Sequence, residues 1–387
     1  MKQTKLKDLF DYLPKSKVQA GDGLEEGMYP FYTSSENQTK YLNEYQHAPG
    51  CLVFGTGGKA SVHLSTNHFS TSTDCITIKP KPEVEIDAGF VFQYFKGNMQ
   101  VLENGFKGAG LKHISKAYLS DIPIPHPEKL DDQIRIAHLL GKVEGVIAQR
   151  KFHLQQLDDL LKSVFLEMFG DPVRNEKGWD KMPLSKLCDF ENGDRSSNYP
   201  SGDDIQDAGV LFLSSREIVN FRLALSNSIY ISEEKFESLR RGKCYLGDVL
   251  MVLRGAGLGK CCVFNGGQAK AFINAQMVIL KCSDDLNNSF LVEQIRNKRM
   301  FRELLKVGSG SAQPQLTAAQ VKEFKVVKPP IDLQNQFAVI VEKVESLKSG
   351  YQQSLCDLEA FYGALSQQAF KGELDLSRVP LQKEGAA

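Results

Sequence analysis

The sequence lacks the patterns that mark several large classes of protein. Its 387 residues contain no apolar run near the roughly 18–20 residues that a membrane span needs. The amino terminus has no apolar core of signal-peptide type, so we expect a cytoplasmic protein without membrane contact. The eight cysteines include no C-x-x-C pair, and the ligand spacing of a zinc site is absent. We therefore predict no metal site.

An excess of charge of one sign is also missing. The net charge is zero, which argues against a protein that coats nucleic acid by charge alone. Residues 1–130 contain no arginine, whereas residues 171–330 are mildly basic. DNA binding therefore stays open, provided that a local face is basic.

The chain repeats itself. The stretch Ile124–Glu144 returns as Val326–Glu345, and Gln133 then corresponds to Gln334 at an offset of 201 residues that holds through the following segment. Both copies continue as apolar stripes with alternating steps of four and three residues, which predict long helices. We expect the two helices to pair as an intramolecular coiled coil rather than to fold into separate bundles.

Each apolar stripe has one exception. The first runs from 136 to 168 and is interrupted by Arg150, and the second runs from 337 to 369 and is interrupted by Lys348. A glycine follows each stripe at a position where helices commonly end. A coenzyme or metal site along this seam is not expected, because Leu, Val and Ile fill it.

The regions before the helices also repeat, although faintly, so each helix follows one copy of a globular domain. The corresponding segments are Tyr32–Glu36 with Leu213–Glu217, Gly50–Val62 with Gly247–Val263, and Lys107–Ser115 with Gly308–Thr317.

This order predicts an α+β protein with an internal pseudo-twofold repeat. Two globular mixed α/β domains are separated by two long antiparallel coiled-coil helices. The predicted bounds are 1–130 for domain 1, 131–170 for the first helix, 171–330 for domain 2, 331–376 for the second helix and 377–387 for a carboxy-terminal tail.

The glycine-rich segment 50–62 first suggests a phosphate-binding loop. In both copies, however, the Gly-Lys pair (58–59 and 259–260) lacks the glycine that the pattern requires five residues earlier, where Val53 and Arg254 stand. Strand-forming residues follow the loop, whereas a nucleotide loop should open a helix. We predict that the loop joins two strands.

No catalytic constellation is evident. The chain lacks the Asp/Asn-Pro-Pro-aromatic motif of adenine methyltransferases, and no Ser/His/Asp or Cys/His arrangement can be assembled. Related domains with different polar loops suit the reading of two short sequences on one duplex. A stand-alone DNA-modifying enzyme and a non-DNA-binding two-domain protein adaptor remain alternatives.

In this arrangement the chain resembles the specificity (S) subunit of a type I restriction–modification system, over about residues 4–376. Local motifs support the resemblance: IPIP at 122–125, MFGDP at 168–172 and AFKGEL at 369–374. It implies a non-catalytic DNA reader in which each target-recognition domain binds one half of a bipartite, asymmetric target on double-stranded DNA. The helices would set the spacer between the two halves.

The resemblance also implies partners. Two methyltransferase (M) subunits would dock on the helices and domains and bring S-adenosylmethionine. Restriction/translocase (R) subunits would bring ATP and Mg²⁺. No cofactor is expected to bind this chain directly.

The commonest specific base contact is an arginine that donates two hydrogen bonds to guanine, and domain 1 has no arginine. We therefore predict that Lys, Asn, Gln, Ser, Thr and backbone groups read its half-site. The candidate DNA-binding residues are Ser34, Ser35, Lys59, Lys107 and Lys112 in domain 1, and Ser214, Ser215, Arg216, Arg254, Lys260 and Ser309 in domain 2; no catalytic residue is predicted.

Overall fold

The computed structural model divides the chain into two compact units. Unit 1 comprises residues 1–153 and those from 351 onward, and unit 2 comprises residues 154–350. Each unit therefore contains one globular part and a segment of each long helix. The structure describes residues 1–108, 110, 112–226, 228–255, 257–308 and 314–381.

The globular part of unit 1 is built from short strands with helices between and after them. Its strands are β1 (Lys2–Lys5), β2 (Phe10–Tyr12), β3 (Tyr29–Tyr32), β4 (Lys40–Leu42), β5 (Cys51–Gly55), β6 (Val62–Ser65), β7 (Ser70–Thr71), β8 (Cys75–Pro80), β9 (Phe106–Lys107), β10 (His113–Ile114) and β11 (Pro123–His126). Its helices are α1 (Leu6–Leu9), α2 (Ala88–Gly97), α3 (Met99–Glu103) and α4 (Lys116–Asp121), followed by the long helix α5 (Leu130–Phe169).

A four-stranded antiparallel sheet in the order β2-β8-β5-β6 forms the centre of unit 1. Strand β5 is buried along its whole length, which its apolar sequence CLVFG explains. A second sheet, β4-β3-β7, contains the parallel pair β3–β7. Strands β1 and β11 pair beside them, and the apolar face of α2 completes the core through Phe90 and Phe95.

Unit 2 repeats this plan with additional strands. Its strands are β12 (Asp180–Pro183), β13 (Cys188–Asn192), β14 (Ile205–Gln206), β15 (Val210–Leu213), β16 (Ile218–Val219), β17 (Arg222–Leu223), β18 (Ile229–Ile231), β19 (Lys243–Tyr245), β20 (Val249–Val252), β21 (Cys261–Val263), β22 (Lys270–Ile273), β23 (Met277–Cys282) and β24 (Lys325–Lys328). Its helices are α6 (Glu233–Ser238), α7 (Asn288–Arg296), α8 (Lys298–Val307) and α9 (Ala318–Glu323), followed by the long helix α10 (Ile331–Lys371).

The sheets of unit 2 correspond to those of unit 1. The order β13-β23-β20-β21 matches β2-β8-β5-β6, and the pair β12–β24 matches β1–β11. The second sheet, β14-β18-β15-β22-β19, again contains one parallel pair, β15–β22. The predicted internal repeat is therefore confirmed at the level of topology.

Two buried glutamines show the repeat in atomic detail. Gln133 accepts a hydrogen bond from the backbone NH of Asp87 at 2.9 Å and donates to the carbonyl of Pro127 at 3.0 Å. Gln334, its counterpart, accepts from the backbone NH of Asn287 at 2.9 Å and donates to Pro329 at 2.7 Å. In each unit this glutamine links the start of the long helix to the residue that caps the amino terminus of a shorter helix. That residue is Asp87 before α2 in unit 1 and Asn287 before α7 in unit 2.

The long helices run antiparallel, as predicted. In unit 1, Leu140 from the early part of α5 shares a core with Leu365 from the late part of α10. In unit 2 the relation is reversed: Phe165, late in α5, lies against Phe337, early in α10, with ring centroids 5.6 Å apart. The helices begin at Leu130 and Ile331, the first of them one residue earlier than predicted.

Both helices end at the glycines that the sequence indicates, so the second helix ends at Lys371 and not at its predicted bound of 376. Gly170 and Gly372 follow the last helical residues with φ of 74° and 78°. This left-handed conformation costs glycine little, because it has no Cβ.

The structure explains the two exceptions to the apolar stripes. Arg150 places its guanidinium 4.5 Å from the ring centroid of Tyr351, so it packs on an aromatic face. Lys348 belongs to a ring of ion pairs in which cations and carboxylates alternate, which we call the charge ring. The charge ring joins α5, α7, α10 and β17. Its members, in order of contact, are Arg222, Glu345, Lys348, Asp158, Arg296 and Glu293, and Glu293 pairs with Arg222 to complete the ring.

Candidate nucleic-acid interface

The glycine-rich segments are hairpin loops. Strands β5 and β6 pair antiparallel, with Phe54 opposite Val62, and β20 and β21 pair in the same way. Gly58 and Gly259 occupy equivalent positions with φ of 79° and 76°, so the repeated glycine is needed for the turn. The prediction that the loop joins two strands is confirmed.

In unit 1 this hairpin is fixed by two neighbouring segments. The hydroxyl of Ser34, after β3, accepts hydrogen bonds from the backbone NH groups of Thr56 at 3.1 Å and Gly57 at 3.3 Å. The same hydroxyl donates to the carbonyl of Asp74 at 2.6 Å. On the other side, Gly57 forms a β-bridge with His113. Three loops that are far apart in sequence therefore meet at one end of the central sheet.

The equivalent three loops meet in unit 2. Arg254, in the hairpin, forms a β-bridge with Gln315, and a Cβ added to Gly257 would lie 3.4 Å from Cβ of Ser215. The hydroxyl of Ser214 donates to Glu217 at 2.9 Å and accepts from the backbone NH of Arg216 at 3.3 Å. We call these three loops the loop cluster of each unit, and they include the described parts of the three pairs of repeated segments found in the sequence.

Two of the predicted DNA-binding serines have structural partners. The hydroxyl of Ser34 joins neighbouring loops, whereas the described hydrogen bonds of the Ser214 hydroxyl lie within its own turn. Ser35 is exposed, and its hydroxyl accepts only from the backbone NH of Asn37, at 3.3 Å, among its described contacts. Ser215 lies beside the hairpin of unit 2 and is half-buried.

The structure brings two predicted lysines of unit 1 into one groove of about 650 Å³. Lys59 and Lys112 line it together with Lys96, and the acids Glu36 and Glu103 share its walls. Lys59 pairs with Glu36 at 3.6 Å, but both side chains are largely exposed, so this pair is weak. The groove therefore offers cationic side chains to a polyanion.

Unit 2 has a groove of about 670 Å³ at the carboxyl end of β13. Arg254 lines it, and three further arginines come from loops that the sequence interpretation did not select: Arg195, Arg240 and Arg241. We call it the arginine groove. The adjacent pair at 240–241 was the sequence signal that could have indicated it, whereas nothing in the sequence marks Arg195 or Lys96.

The other predicted residues lie elsewhere. Of the described candidates, Lys107, Arg216 and Lys260 line neither groove. Lys107 and Arg216 are exposed, and Lys260 is half-buried at the end of the hairpin in unit 2. Ser309 lies outside the described residues.

Other kinds of site are not found in the described part of the chain. Its His, Cys, Asp and Glu side chains form no group of three that could hold a metal ion. None of its helices is long and apolar enough to cross a membrane.

Comparison with known proteins identifies the family. The family model described as the type I restriction modification DNA specificity domain matches residues 1–157 and 176–355. The chain belongs to this family. A candidate type I specificity subunit of Mycoplasma pneumoniae is 24% identical over 360 residues, which cover 87% of this chain and 87% of that protein.

Two solved structures have a similar fold. The S subunit of a type I restriction–modification system from M. genitalium gives a TM-score of 0.67 at 16% identity, over 95% of this chain and 96% of that one. A chain from a study of complex assembly and conformational transition in the type I R-M system gives 0.51 at 16% identity, over 96% and 98%. These likenesses confirm the predicted α+β fold class.

Proposed function

We propose that this chain is the sequence-specific DNA-recognition subunit of a type I restriction–modification complex. Each unit reads one half of a bipartite, asymmetric target on double-stranded DNA. The chain itself performs no catalysis and acts in the cytoplasm.

The observation that carries this proposal is the repeated loop cluster. In both units the same central sheet presents the same three loops, while the side chains on those loops differ. A constant frame with variable polar and cationic loops suits the recognition of two different base sequences. Hydrogen bonds to base edges determine which sequence is bound, and cationic contacts to phosphates position the protein on the duplex. Membership of the DNA specificity family supports the same conclusion.

DNA binding should therefore depend on both sequence and salt. The complex is reconstituted with its methyltransferase subunits. The logarithm of its association constant for a target duplex should fall linearly with the logarithm of the salt concentration. A scrambled duplex of equal length is the matched control. Equal affinity for both duplexes at every salt concentration would overturn sequence recognition, and a lack of any salt-sensitive DNA binding would favour the protein-adaptor alternative.

The long helices supply the second part of the proposal. They set the spacer between the two half-sites and dock two methyltransferase subunits, which carry S-adenosylmethionine. Restriction/translocase subunits bring ATP and Mg²⁺. Exposed apolar side chains on both helices support docking, since such residues favour protein contacts: Val146, Phe152, Leu160, Leu166, Val339, Leu347 and Phe361.

Docking can be tested at Leu347, whose side chain is 56% exposed. Leu347→Asp should reduce co-purification of the methyltransferase subunit, because it places a charge in an apolar contact. Ser346→Asp, at the adjacent exposed position, is the matched control and should have little effect. Equal recovery of the methyltransferase with both variants would show that this face is not the docking surface.

A further inference from the structure

The arginine groove of unit 2 is organised around one buried carboxylate. Asp194 is only 5% exposed and accepts a hydrogen bond from the backbone NH of Ser196 at 2.6 Å. Burial raises the pKa of Asp194, but the hydrogen bonds from Ser196 and from the backbone NH of Arg240, together with the charge of Arg241, lower it below its ordinary value. The charged carboxylate thus ties two loops that carry arginines.

A second contact orients one of these arginines. Nε and Nη2 of Arg195 donate to the carbonyl of Ala275 at 3.3 and 3.0 Å. This arrangement fixes the plane of the guanidinium and leaves its remaining donors for another partner. Such orientation reduces the entropy that an arginine loses when it binds.

Arg254 enters the groove from the hairpin loop. Its backbone is fixed by the bridge to Gln315, and its side chain is exposed. Within the described part of the chain, neither Arg254 nor the pair Arg240 and Arg241 forms an ion pair through its side chain. With four arginines against the one carboxylate of Asp194, the groove therefore holds an excess of positive charge.

The corresponding groove of unit 1 has different chemistry. It has a volume of about 640 Å³ and lies at the same end of the equivalent sheet, where 13–15 follow β2 as 193–195 follow β13. Its cationic side chains are Lys15 and Lys116, and the ammonium of Lys116 already lies 4.3 Å from the ring centroid of Tyr12. Of these two grooves, only that of unit 2 is lined by guanidinium groups, which can donate two parallel hydrogen bonds.

We propose that the arginine groove reads guanine in the half-site bound by unit 2, with Arg254 as the principal base-contacting residue. This inference rests on the proposed function. A guanidinium can donate two parallel hydrogen bonds to O6 and N7 of guanine, whereas an ammonium cannot reproduce that fork. The neighbouring arginines hold the DNA backbone and favour close approach of the duplex.

The test uses the complete complex in a host whose methylated sequences are read genome-wide. Arg254→Lys keeps the charge but removes the fork, so it should lower discrimination at one guanine position of one half-site by about 5- to 150-fold. The other half-site and the spacer should not change. Arg174→Lys, at an exposed position outside the groove that pairs with Glu176, is the matched control and should leave the motif intact.

The results separate three situations. If Arg254→Lys preserves the motif while Arg254→Gln weakens binding to all sequences and reduces the salt slope by about 1, the residue contacts phosphate and the guanine inference is wrong. If neither variant changes motif or affinity, the groove does not contact DNA. If the unaltered complex methylates no bipartite motif, the proposed function itself fails. Thermal melting of each variant, compared with the unaltered chain, verifies that the fold is retained.

Discussion

The charge ring predicts that replacing Lys348 lowers the free energy of unfolding substantially, although this lysine interrupts the apolar stripe of its helix. Lys348→Met removes a cation whose side chain is 14% exposed and which contacts Asp158 at 2.9 Å and Glu345 at 3.3 Å. Removing one partner of a fully buried pair costs about 3–5 kcal/mol, and exposed pairs contribute about 0.2–1 kcal/mol. Both carboxylates are 28% exposed and keep one arginine each, so we expect a loss of about 2 kcal/mol.

The assay is thermal unfolding of the full chain, followed together with hydrogen exchange over residues 331–350. For a unit of this size, about 2 kcal/mol lowers the Tm by about 4–8 °C. Lys343→Met is the matched control, since Lys343 is exposed on the same helix and should change stability by less than about 0.5 kcal/mol. If both variants melt within about 1 °C of each other, the ring contributes no net stability.

Acid should abolish the difference between Lys348→Met and the unaltered chain. Burial raises the pKa of Asp158 and of Glu345, but the hydrogen bonds and charges of their cationic partners outweigh it, so both pKa values lie below the ordinary ones. Carboxylates with lowered pKa values stabilise the fold fully above about pH 4–5 and lose this contribution as the pH falls further. A difference in Tm that persists unchanged below about pH 3 would contradict the ionic origin of the effect.

Three further predictions concern other contacts. Ser34→Ala should destabilise unit 1 by about 1 kcal/mol in thermal melts, because it removes the hydroxyl that holds the hairpin, whereas Ser35→Ala should be near neutral; equal effects would refute the anchoring role. Tyr351→Leu should cost about 1 kcal/mol by removing the ring under Arg150, and Tyr351→Phe should retain most of the stability; a Phe variant as unstable as the Leu variant would contradict stacking. Exchanging residues 1–130 for those of another family member should change one half of the methylated motif, and a change in both halves would refute modular reading.

The long helices could be predicted because their signal is local and periodic. Apolar residues at steps of four and three specify one face of a helix, and Gly170 and Gly372 mark where the helices end. The same pattern could not explain Lys348, because the charge ring to which it belongs spans three other elements, α5, α7 and β17. Lys348 pairs with Asp158, and Asp158 also pairs with Arg296; these residues are close to each other only after folding.

The candidate site was less accessible to sequence reasoning. The repeated glycine loops predicted hairpins, since the turn requires a left-handed residue such as Gly58. The arginine groove was missed, although Arg254 was selected, because its four arginines come from segments near 195, 240 and 254 that no spacing connects. Strand pairing brings these segments together, and pairing between distant strands leaves little trace in a single sequence.

The central claim is that each unit reads one half of a split target. Methylome sequencing of a host that expresses the chain with its methyltransferase and restriction subunits tests it most directly. We predict one asymmetric motif made of two short specific parts separated by a spacer of constant length. Methylation at a single continuous motif, or methylation that does not depend on this chain, would contradict the account.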